Sequence, residues 1–496
     1  MTSGVPAASH VVLTGAESDS YRSLLRKPVS RAERFELGRR LRREVPRKAL
    51  GLWKAPVDRV DPLVQVQRSH EGRQPELIPV RVGRMAASPY GFLRGAPNVM
   101  AVDVAGLPAT GITPVICGDA HLGNFGFYAS PERDLVMDLN DFDEAHPGAW
   151  EWDLRRLVAS VWVAGRCNGC SETQCETAVM SCVAAYRKEL RFLAGEPLLY
   201  RSYQRLDVAH LHETATEKSL RGEIERAVRR ARASTSDRVL PRLTIQRSGR
   251  RQIVERPPLV TRMPPATVES IGRALDAYLD TLTPHWRRVL GGYTLVDVAH
   301  KVVGVGSVGL RAYVALLEGS SADDVVFLQI KQARRSVVAA FVHGESAWHA
   351  HQGQRVVEYQ QALQTVSDPL LGWTTIEGLQ YYVRQFRDMK GGIDLEAIDA
   401  NALADYAGIV GHLLAKGHAR TSGASMIAGY VGGSDKVDCA MCRFARAYAD
   451  QTEADHGALI KAVAQGILPI EVPPERQTAA PREPWEVRAG QPCQPR

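Results

Sequence analysis

The chain has 496 residues, of which 45% are hydrophobic and 24% are charged, and its formal net charge is +7 at pH 7. These values are ordinary for globular proteins and exclude collagen-like, coiled-coil and wholly disordered chains. No run of about 18 apolar residues occurs, and the N-terminus lacks a basic patch followed by a long apolar stretch. We therefore expect a cytoplasmic protein with neither a membrane-spanning helix nor a secretory signal.

Basic residues are concentrated in two segments. Residues 22–48 contain 11 Lys or Arg and 3 acidic residues, and residues 221–256 contain 11 Arg and 4 acidic residues. Such segments are able to bind nucleic acid or an anionic membrane surface. Neither has the interleaved aromatic residues of a single-strand-binding surface. We favour solvated helix faces, expect no membrane partner and treat nucleic acid as the less favoured partner.

Eight cysteines in a chain of this length do not indicate a disulfide scaffold. Two pairs have Cys-x-x-Cys spacing, Cys167/Cys170 and Cys439/Cys442. One shared zinc site would require the pairs to meet across about 270 residues. The second pair also lies inside a strongly helical stretch, so we favour buried or incidental thiols over zinc.

The predicted elements of the first half are mainly helices around one β-hairpin. A basic amphipathic helix is expected within residues 20–50, ending near Pro46, and a second helix ends at Gly106. The apolar strand TPVIC leads into the loop GDAHLGN, residues 118–124, and FGFYAS and LVMDLNDFD then form a hairpin. Three further helices are predicted at residues 150–166, 172–195 and 204–233.

The second half predicts strands between helices. Residues 293–331 have the pattern of strand, loop, strand, turn and strand, and LQYYVRQF at 379–386 is a further alternating strand. Short alternating runs with Pro occupy residues 242–262. Helices are predicted at residues 266–285, 345–366, 396–420 and 438–465.

The loop GDAHLGN carries the sharpest chemical signal, because Asp119 and Asn124 stand five residues apart. Asn140-Asp141-Phe142-Asp143 follows the predicted hairpin, which brings this second group of polar residues beside the loop. Phosphoryl transfer needs a carboxylate that accepts the proton of the attacking hydroxyl. It also needs an amide oxygen and a second carboxylate that hold Mg²⁺ against the nucleotide phosphates. The pattern therefore predicts a site for phosphoryl transfer.

GDAHLGN resembles the catalytic loop of aminoglycoside phosphotransferases and choline kinases, within the protein-kinase-like superfamily. The resemblance implies ATP and Mg²⁺ as cofactors, Asp119 as the catalytic base and Asn124 as a metal ligand. His121 is expected to support the loop, with a role as general base as the alternative. Asp141 is the preferred metal-binding aspartate, because it precedes Asp153, in WEWDLRRL, by 12 residues. The resemblance supports this choice, since those small-molecule kinases have a similar interval between the metal-binding aspartate and a buried structural aspartate. Two further candidate metal or supporting groups are Asp138 and Asp143.

A glycine-rich segment supplies a candidate phosphate loop. Gly304, Gly306 and Gly309 have Gly-x-Gly-x-x-Gly spacing, with Ser307 between them. A Rossmann loop would open a helix, whereas this one continues into a strand, a turn and a second strand ending at Lys331. That arrangement is typical of a kinase small lobe, in which the lysine binds the α- and β-phosphates. The expected partner of the lysine is Glu358, with Glu345 as the alternative.

The motifs stand in an unusual order, because the catalytic loop precedes the glycine-rich loop by about 180 residues. We therefore predict a circularly permuted, two-lobed protein-kinase-like fold of the α+β class, with a small antiparallel β lobe and a mainly helical large lobe. The predicted segments are a disordered N-terminus (1–20), an N-terminal helical extension (21–110), a large lobe with the catalytic loop and metal-binding hairpin (111–285), a small nucleotide-binding β lobe with the hinge (286–392), a further helical part of the large lobe (393–468) and a disordered tail (469–496).

Several arginines are candidates for binding an anion. Arg81, Arg84 and Arg94 lie just before the catalytic strand and are able to clamp an anionic substrate or the transferred phosphate. Ion pairing with nearby carboxylates is the favoured interpretation for these three. Arg384 and Lys390, near the last predicted strand, are similarly ambiguous.

The whole pattern resembles an uncharacterised bacterial family of kinase-like proteins. PVRVGRMAASPYGFLRG, GDAHLGNFG, DLNDFDEAHPGAWEWDLRRL and YYVRQFRDMKG carry this resemblance over residues 35–465. We predict an ATP- and Mg²⁺-dependent phosphotransferase with a small-molecule acceptor that bears a hydroxyl or an amine. The alternatives are AMP transfer to a protein and a non-catalytic regulator that binds nucleotide or nucleic acid.

Overall fold

The computed structural model describes residues 29–471, except for residues 248, 303, 322, 343–348, 387 and 422. The predicted disordered N-terminus lies outside the described residues, and so does the predicted tail beyond residue 471. Within the described part of the chain, no helix has the length and apolar character needed to cross a membrane.

Five helices form the N-terminal part of the chain. They are α1 (Arg31–Leu41), α2 (Pro62–Arg68), α3 (Ile78–Ala86), α4 (Pro89–Gly95) and α5 (Pro97–Ala105). Ser30 and Glu33 form a reciprocal capping box at the start of α1. Proline stands in the first turn of each of the other four helices, where its missing N–H costs no hydrogen bond.

The next part begins with short strands and continues into long helices. The strands are β1 (Val115–Ile116), β2 (Phe125–Ala129), β3 (Leu135–Leu139) and β4 (His146–Pro147). The predicted hairpin is confirmed, since β2 and β3 are antiparallel with Phe125 opposite Leu139. The helices are α6 (Trp150–Cys167), α7 (Glu172–Gly195), α8 (Leu198–Tyr203), α9 (Val208–Thr214), α10 (Lys218–Arg232) and α11 (Ser236–Leu243). The single helix predicted at 204–233 is wrong, because Asp207 caps a new helix through the backbone N–H of His210.

The sheet region follows in the sequence. Its strands are β5 (Thr244–Arg247), β6 (Arg250–Ile253), β7 (Val260–Arg262), β8 (Thr294–Lys301), β9 (Ala312–Glu318), β10 (Val325–Gln332), β11 (Gly372–Ile376) and β12 (Leu379–Gln385). Six of them form one antiparallel sheet in the order β11-β12-β10-β9-β8-β7. The predicted strands at 293–331 are therefore confirmed, and β11 is an element that the sequence pattern missed.

Seven helices complete the described chain. They are α12 (Pro265–Leu279), α13 (Pro284–Leu290), α14 (Ala339–Val342), α15 (Gln352–Leu363), α16 (Ala400–Arg420), α17 (Ala424–Val431) and α18 (Lys436–Ala464). The long helix α16 packs closely along α7. A side chain at Gly411 would collide with the backbone of Cys182, so only glycine allows this approach.

The fold is α+β, with separate apolar cores for the helices and the sheet. The largest core joins α6, α7, α16 and α18, and includes Leu157 and Leu413. The sheet packs against α12 through residues such as Tyr278 and Ile330. A third cluster matters most for function, because it buries Val305 of the glycine-rich segment against α2–α5. The N-terminal helices therefore hold this segment at the edge of the sheet.

Candidate active site

One cavity of about 880 Å³ lies where the β2–β3 hairpin, the large sheet and helices α2–α5 meet. Its walls include Asp119, Asn124, Asp141, Gly304 and Lys331. These residues come from two stretches of sequence that are separated by more than 150 positions. Five residues that are predicted to act in phosphoryl transfer therefore line one concave site.

Asp119 is held by an arginine that the sequence pattern did not single out. Nε and Nη2 of Arg156, on α6, lie 2.8 and 2.6 Å from Oδ1 of Asp119. Burial raises the pKa of Asp119 to about 7, and the charge of Arg156 opposes that rise. Since Arg156 occupies Oδ1, the second oxygen, Oδ2, remains to accept a proton at neutral pH.

Asp153, the buried aspartate in WEWDLRRL, fixes the backbone at the start of the predicted catalytic loop. Its carboxylate accepts hydrogen bonds from the backbone N–H groups of Cys117 and Gly118, at 2.6 and 2.8 Å. Nε2 of His418 lies 3.3 Å from the same carboxylate. Gly118 has a φ of +77°, and a Cβ there would meet the backbone of Glu144. This tight turn presents Asp119 to the cavity.

His121 is a neutral support of the loop. Its Nε2 lies 4.0 Å from Oδ2 of Asp119, and its ring meets Tyr90 edge-on. Burial, together with the charges of Arg94 and Arg156, lowers the pKa of His121 well below its usual value. The hydroxyl of Tyr90 accepts a hydrogen bond from the backbone N–H of Gly123. His121 therefore lies beside Asp119 with a neutral ring of low basicity, which favours the expected support of the loop over the alternative role as a general base.

Asn124 is oriented by backbone carbonyls. Its Nδ2 donates to the carbonyl oxygens of Asp119 and Asp141, at 3.2 and 3.0 Å. These bonds fix the side chain between the loop and the second acidic group and leave Oδ1 as the atom of Asn124 that could bind a metal ion. An amide oxygen next to a carboxylate suits Mg²⁺, which binds few protein oxygens and completes its shell with phosphate and water.

Asp141 and Lys331 are in contact with each other and both line the cavity. Nζ of Lys331 lies 3.4 Å from Oδ1 of Asp141. Burial alone would raise the pKa of Asp141, but the charges of Lys331, Arg384 and Lys390 outweigh burial and lower it to about 2. Asp141 therefore remains ionised at neutral pH, as a metal ligand must.

Asp143 is the main partner of Lys331 in the structure. Its Oδ2 lies 2.5 Å from Nζ of Lys331, and its Oδ1 accepts a hydrogen bond of 2.9 Å from the hydroxyl of Tyr382. Oγ of Ser307 donates to Oδ2 at 3.3 Å, which ties the glycine-rich segment to the acidic turn. Burial would lower the pKa of Lys331, but Asp141 and Asp143 outweigh burial and raise it. The lysine is therefore charged and fixed.

The predicted pairing of Lys331 with Glu358 is wrong. Glu358 accepts hydrogen bonds from Gln354 and from the ring of His349, both at 2.8 Å, and does not line the cavity. Another residue of α15, Arg355, points inward and donates to the carbonyl oxygens of Ala145, Asp143 and Arg334. The helix therefore supports the acidic turn through an arginine, while Asp143 supplies the carboxylate for Lys331. The alternative partner, Glu345, lies outside the described residues.

Asp138 and Gly309 do not line the cavity. The buried carboxylate of Asp138 accepts hydrogen bonds from the backbone N–H groups of Leu139 and Thr365, at 2.9 and 3.2 Å. This contact makes Asp138 a residue that joins the hairpin to the segment after α15, and it corrects the metal-binding prediction. Gly309, with a φ of +85°, accepts a hydrogen bond from the backbone N–H of Gln74. It ends the glycine-rich segment against the N-terminal helices.

The N-terminal helices also determine the position of the glycine-rich segment. Nη1 of Arg84 donates to the carbonyl of Gly304 at 2.8 Å, and Nη1 of Arg73 donates to the carbonyl of Val308 at 2.5 Å. Gly304 and Gly306 line the cavity, with room for a ligand at both positions. The backbone at Gly304 and Gly306 is therefore open to the cavity. Arg84 and Arg73 fix the position of the segment by binding its carbonyl groups.

Arg384 and Lys390, two of the predicted candidates for binding an anion, line the cavity at and just after β12. Nε of Arg384 donates to the side chain of Gln329 at 2.9 Å, and its Nη1 donates to the carbonyl of Asn140 at 3.3 Å. Lys390 lies on the same wall. Both therefore add positive charge on the side of Asp141.

The four cysteines with Cys-x-x-Cys spacing are free thiols, Cys167, Cys170, Cys439 and Cys442. Throughout the described ranges, no three or more His, Cys, Asp or Glu side chains cluster in a way that would hold a metal ion. A zinc site built from both pairs has no support in this arrangement. A magnesium site that relies on Asn124, Asp141 and a nucleotide is a different case, because the phosphates complete it.

Residues 73–462 match the family described as "Uncharacterized protein conserved in bacteria (DUF2252)". The chain belongs to this family. The matched region of this DUF2252 protein contains GDAHLGN, the glycine-rich segment and Lys331, so the cavity lies largely within the part that defines the family. No curated protein and no solved structure matches the chain.

Sequence reasoning missed three residues that hold the site of this DUF2252 protein: Arg156, Tyr382 and Arg355. Arg156 follows Asp153 by three positions in a helix, so it faces the same loop. That spacing was a usable signal. Tyr382 and Arg355 gave no local signal, because their roles depend on where β12 and α15 pack in the folded chain.

Proposed function

We propose that this DUF2252 protein is an ATP- and Mg²⁺-dependent phosphotransferase that acts on a small molecule with a hydroxyl or an amine group. The observation that carries the proposal is the single cavity that joins Asp119, Asn124 and Asp141 to Lys331 and the open glycine backbone. A carboxylate base, an amide and a carboxylate for the metal, a lysine and a glycine loop together form the apparatus of phosphoryl transfer.

The proposed reaction assigns a separate step to each group. The oxygen or nitrogen of the acceptor forms a bond to the γ-phosphorus of ATP, the bond from that phosphorus to the β–γ bridging oxygen breaks, and ADP leaves. Oδ2 of Asp119 takes the proton of the acceptor, because Oδ1 is held by Arg156. Lys331 neutralises charge on the phosphates, and Asp143 keeps its ammonium in place.

Asn124 and Asp141 are the residues that fit a magnesium ion. The amide nitrogen of Asn124 is engaged by backbone carbonyls, and Asp141 is ionised and open to the cavity. Mg²⁺ bound there would neutralise charge on the phosphates and align them for transfer. Gly304, Gly306 and Ser307 are expected to lie along the same phosphates.

A permuted, two-lobed kinase-like fold is the architecture that this proposal favours. The six-stranded antiparallel sheet would be the smaller lobe and the helices around α7 and α16 the larger one. In support, the end of α16 lies beside the start of β1, where Oγ1 of Thr421 accepts a hydrogen bond of 3.2 Å from Val115 N–H. A chain in the ordinary kinase order would pass directly from this helix into the catalytic loop. The new termini would separate two segments that are still neighbours in space.

The test measures ADP release and acceptor phosphorylation by the purified full-length chain against a panel of small hydroxyl and amine compounds. We expect turnover that requires Mg²⁺ and is lost in Asp119→Asn. The matched control is Asp323→Asn, which changes an exposed aspartate on the turn before β10. Turnover that persists in Asp119→Asn, or an absence of both turnover and nucleotide binding, would contradict the proposal.

Intact mass separates phosphoryl transfer from AMP transfer when the chain modifies itself or another protein. Phosphoryl transfer adds about 80 Da and AMP transfer adds about 329 Da to the modified side chain. Our proposal expects no AMP adduct on any protein. A stable adduct of the larger mass would replace phosphoryl transfer with nucleotidyl transfer at the same site.

A further inference from the structure

The cavity contains more positive charge than a nucleotide with its metal would neutralise. Among the described residues that line it, ten are Lys or Arg and five are Asp or Glu. ATP with one Mg²⁺ carries a net charge of roughly −2, and a second Mg²⁺ would cancel that charge. A basic excess therefore remains after the nucleotide has bound, and four of the ten cations, Arg68, Arg73, Arg81 and Arg94, come from the N-terminal part of the chain.

Arg81 is the most deeply buried member of this excess. It lies on α3, is 1% exposed and lines the cavity. Its Nη2 donates to the carbonyl of Gly95 at 2.6 Å, whereas its Nε and Nη1 have no hydrogen-bond partner within the described part of the chain. A buried guanidinium with two unsatisfied donors costs several kcal/mol in folding free energy. Such a group is retained where a ligand satisfies it.

Positive charges surround Arg81. Burial lowers the pKa of Arg81, and repulsion by Arg73 and Arg334 lowers it further. His70 lies in the same field, where burial and then the charges of Arg81 and Arg73 lower its pKa to about 4, so its ring is neutral at pH 7. Nε2 of His70 is buried without a hydrogen-bond partner among the described residues. Glu144 and Asp143 partly offset the charge of Arg73, whereas the charges that act most on Arg81 are those of Arg73 and Arg334.

The position of this basic cluster is distinct from that of the lysine that serves the nucleotide. Lys331 is paired with Asp141 and Asp143 on the floor of the cavity. Arg81 lies on α3 and Arg73 lies in the turn between α2 and α3, in a part of the chain that contacts the glycine-rich segment and, through Tyr90, the loop at 118–124. Because Arg81, Gly304 and Asp119 line the same cavity, a molecule bound at Arg81 would share that cavity with Asp119.

We infer that the acceptor of the proposed reaction is itself a phosphate ester, whose phosphate group binds to Arg81 and Arg73 while its hydroxyl or amine faces Asp119. The inference rests on the proposed function for the identity of the second substrate. A phosphate dianion would satisfy the two donors of Arg81, Nε and Nη1, that are unpartnered among the described residues, and would be attracted by the charge of Arg73, whose own Nε and Nη1 donate to the carbonyls of Ser69 and Val308. The acceptor class is therefore a small phosphorylated metabolite.

The test uses calorimetric titration of inorganic phosphate and of methyl phosphate into the full-length chain, first alone and then saturated with Mg²⁺ and AMP-PNP. We expect both anions to bind to the nucleotide-loaded chain. Replacement of Arg81 by Met should weaken that binding at least about tenfold, because charge-assisted hydrogen bonds are lost. Arg73→Gln, at a less buried position, should also weaken it and serves if Arg81→Met does not fold.

The matched control is Arg273→Met, which removes an exposed arginine on α12 and should leave phosphate binding unchanged. Binding of phosphate that competes with AMP-PNP would place the anion in the nucleotide's own site and overturn the inference. Equal affinity in wild type and Arg81→Met would overturn it as well, and so would binding of inorganic phosphate without methyl phosphate. Failure of AMP-PNP itself to bind is a separate result, which contradicts the proposed function.

Discussion

Two sets of buried cations lie in or next to the cavity, and they differ in their partners. Lys331 and Arg81 line the cavity, whereas Arg156 reaches it only through its contact with Asp119. Lys331 and Arg156 each contact a carboxylate of the protein, Asp143 and Asp119 respectively. Arg81, in contrast, meets a single backbone carbonyl and the repulsion of other arginines. The charges of the first set are paired within the protein, whereas two donors of Arg81 have no partner among the described residues.

The first set consists of cations that the protein's own carboxylates hold in position before a ligand binds. For the second set, we expect a bound substrate to supply the missing partner. A paired cation stabilises the folded chain, and removing one partner leaves a buried charge behind. An unpaired cation destabilises the folded chain, so it persists where binding requires it. Changes at the two sets should therefore have opposite consequences for stability and different consequences for activity.

The largest expected effect comes from the carboxylate that accepts the proton. Asp119→Asn should lower kcat about 10³-fold, because an amide cannot act as a general base. The oxygen of the new side chain still accepts from Arg156 but leaves the charge of Arg156 unpaired, so the melting temperature should fall by a few degrees while the chain stays folded at assay temperature. Steady-state kinetics and thermal unfolding measure the two quantities. A variant that retains more than a tenth of wild-type kcat would remove Asp119 from the mechanism.

Breaking a complete pair should produce the largest stability effect. Lys331→Met leaves Asp141 and Asp143 without their cation, and we expect a loss of about 3 kcal/mol in the free energy of unfolding. Arg81→Met removes an uncompensated charge and should lower that free energy by less than about 1 kcal/mol, or raise it. Urea unfolding of both variants measures the contrast. Equal losses would erase the distinction between the two sets.

The pH dependence of the reaction should report the pKa of Asp119. Burial raises that pKa to about 7, and only the deprotonated carboxylate accepts a proton. The value of kcat/KM should therefore fall about tenfold per pH unit below 7 and level off above it. Because Arg156 opposes the rise, Arg156→Met should move the inflection to higher pH. A profile that is flat from pH 5.5 to 8, or that falls as pH rises, would contradict this assignment.

The smallest expected effect is at Glu358. Its carboxylate contacts His349 and Gln354 outside the cavity, so Glu358→Gln should leave kcat and KM within about twofold of wild type, as expected for a site without contact to the reaction. Asp143→Asn is the informative companion, because it weakens the true partner of Lys331. If Glu358→Gln lowered kcat/KM more than Asp143→Asn did, the pairing of Lys331 with Asp143 would not describe the functional site.

The sequence was most informative where the functional residues are close together in the chain. Asp119, Asn124 and Asp141 lie within 23 positions, and a short hairpin joins them, so local pattern was enough to place them side by side. The strand ending at Lys331 was predicted for the same reason, since a turn connects it to the strand before.

Other features depended on packing that no local pattern specifies. Lys331 pairs with Asp143 and not with the predicted Glu358 because of the way α15 packs. Arg355 of that helix binds the carbonyl groups of the acidic turn, while Glu358 lies outside the cavity. One signal was available. The metal-binding motif of the kinases that this sequence resembles ends in glycine, whereas this chain has Asp143 at that position. The contact between α2–α5 and the glycine-rich segment joins residues more than 200 positions apart, and the sequence contained no comparable sign of it.

The most direct test of the central claim is the affinity of the chain for AMP-PNP, measured by calorimetry with and without Mg²⁺. We predict binding that Mg²⁺ strengthens, that Asp119→Asn leaves unchanged, and that Lys331→Met and Asp141→Asn each weaken at least about tenfold. Binding that is absent in the wild type, or that is indifferent to both Lys331 and Asp141, would show that this cavity does not hold a nucleotide.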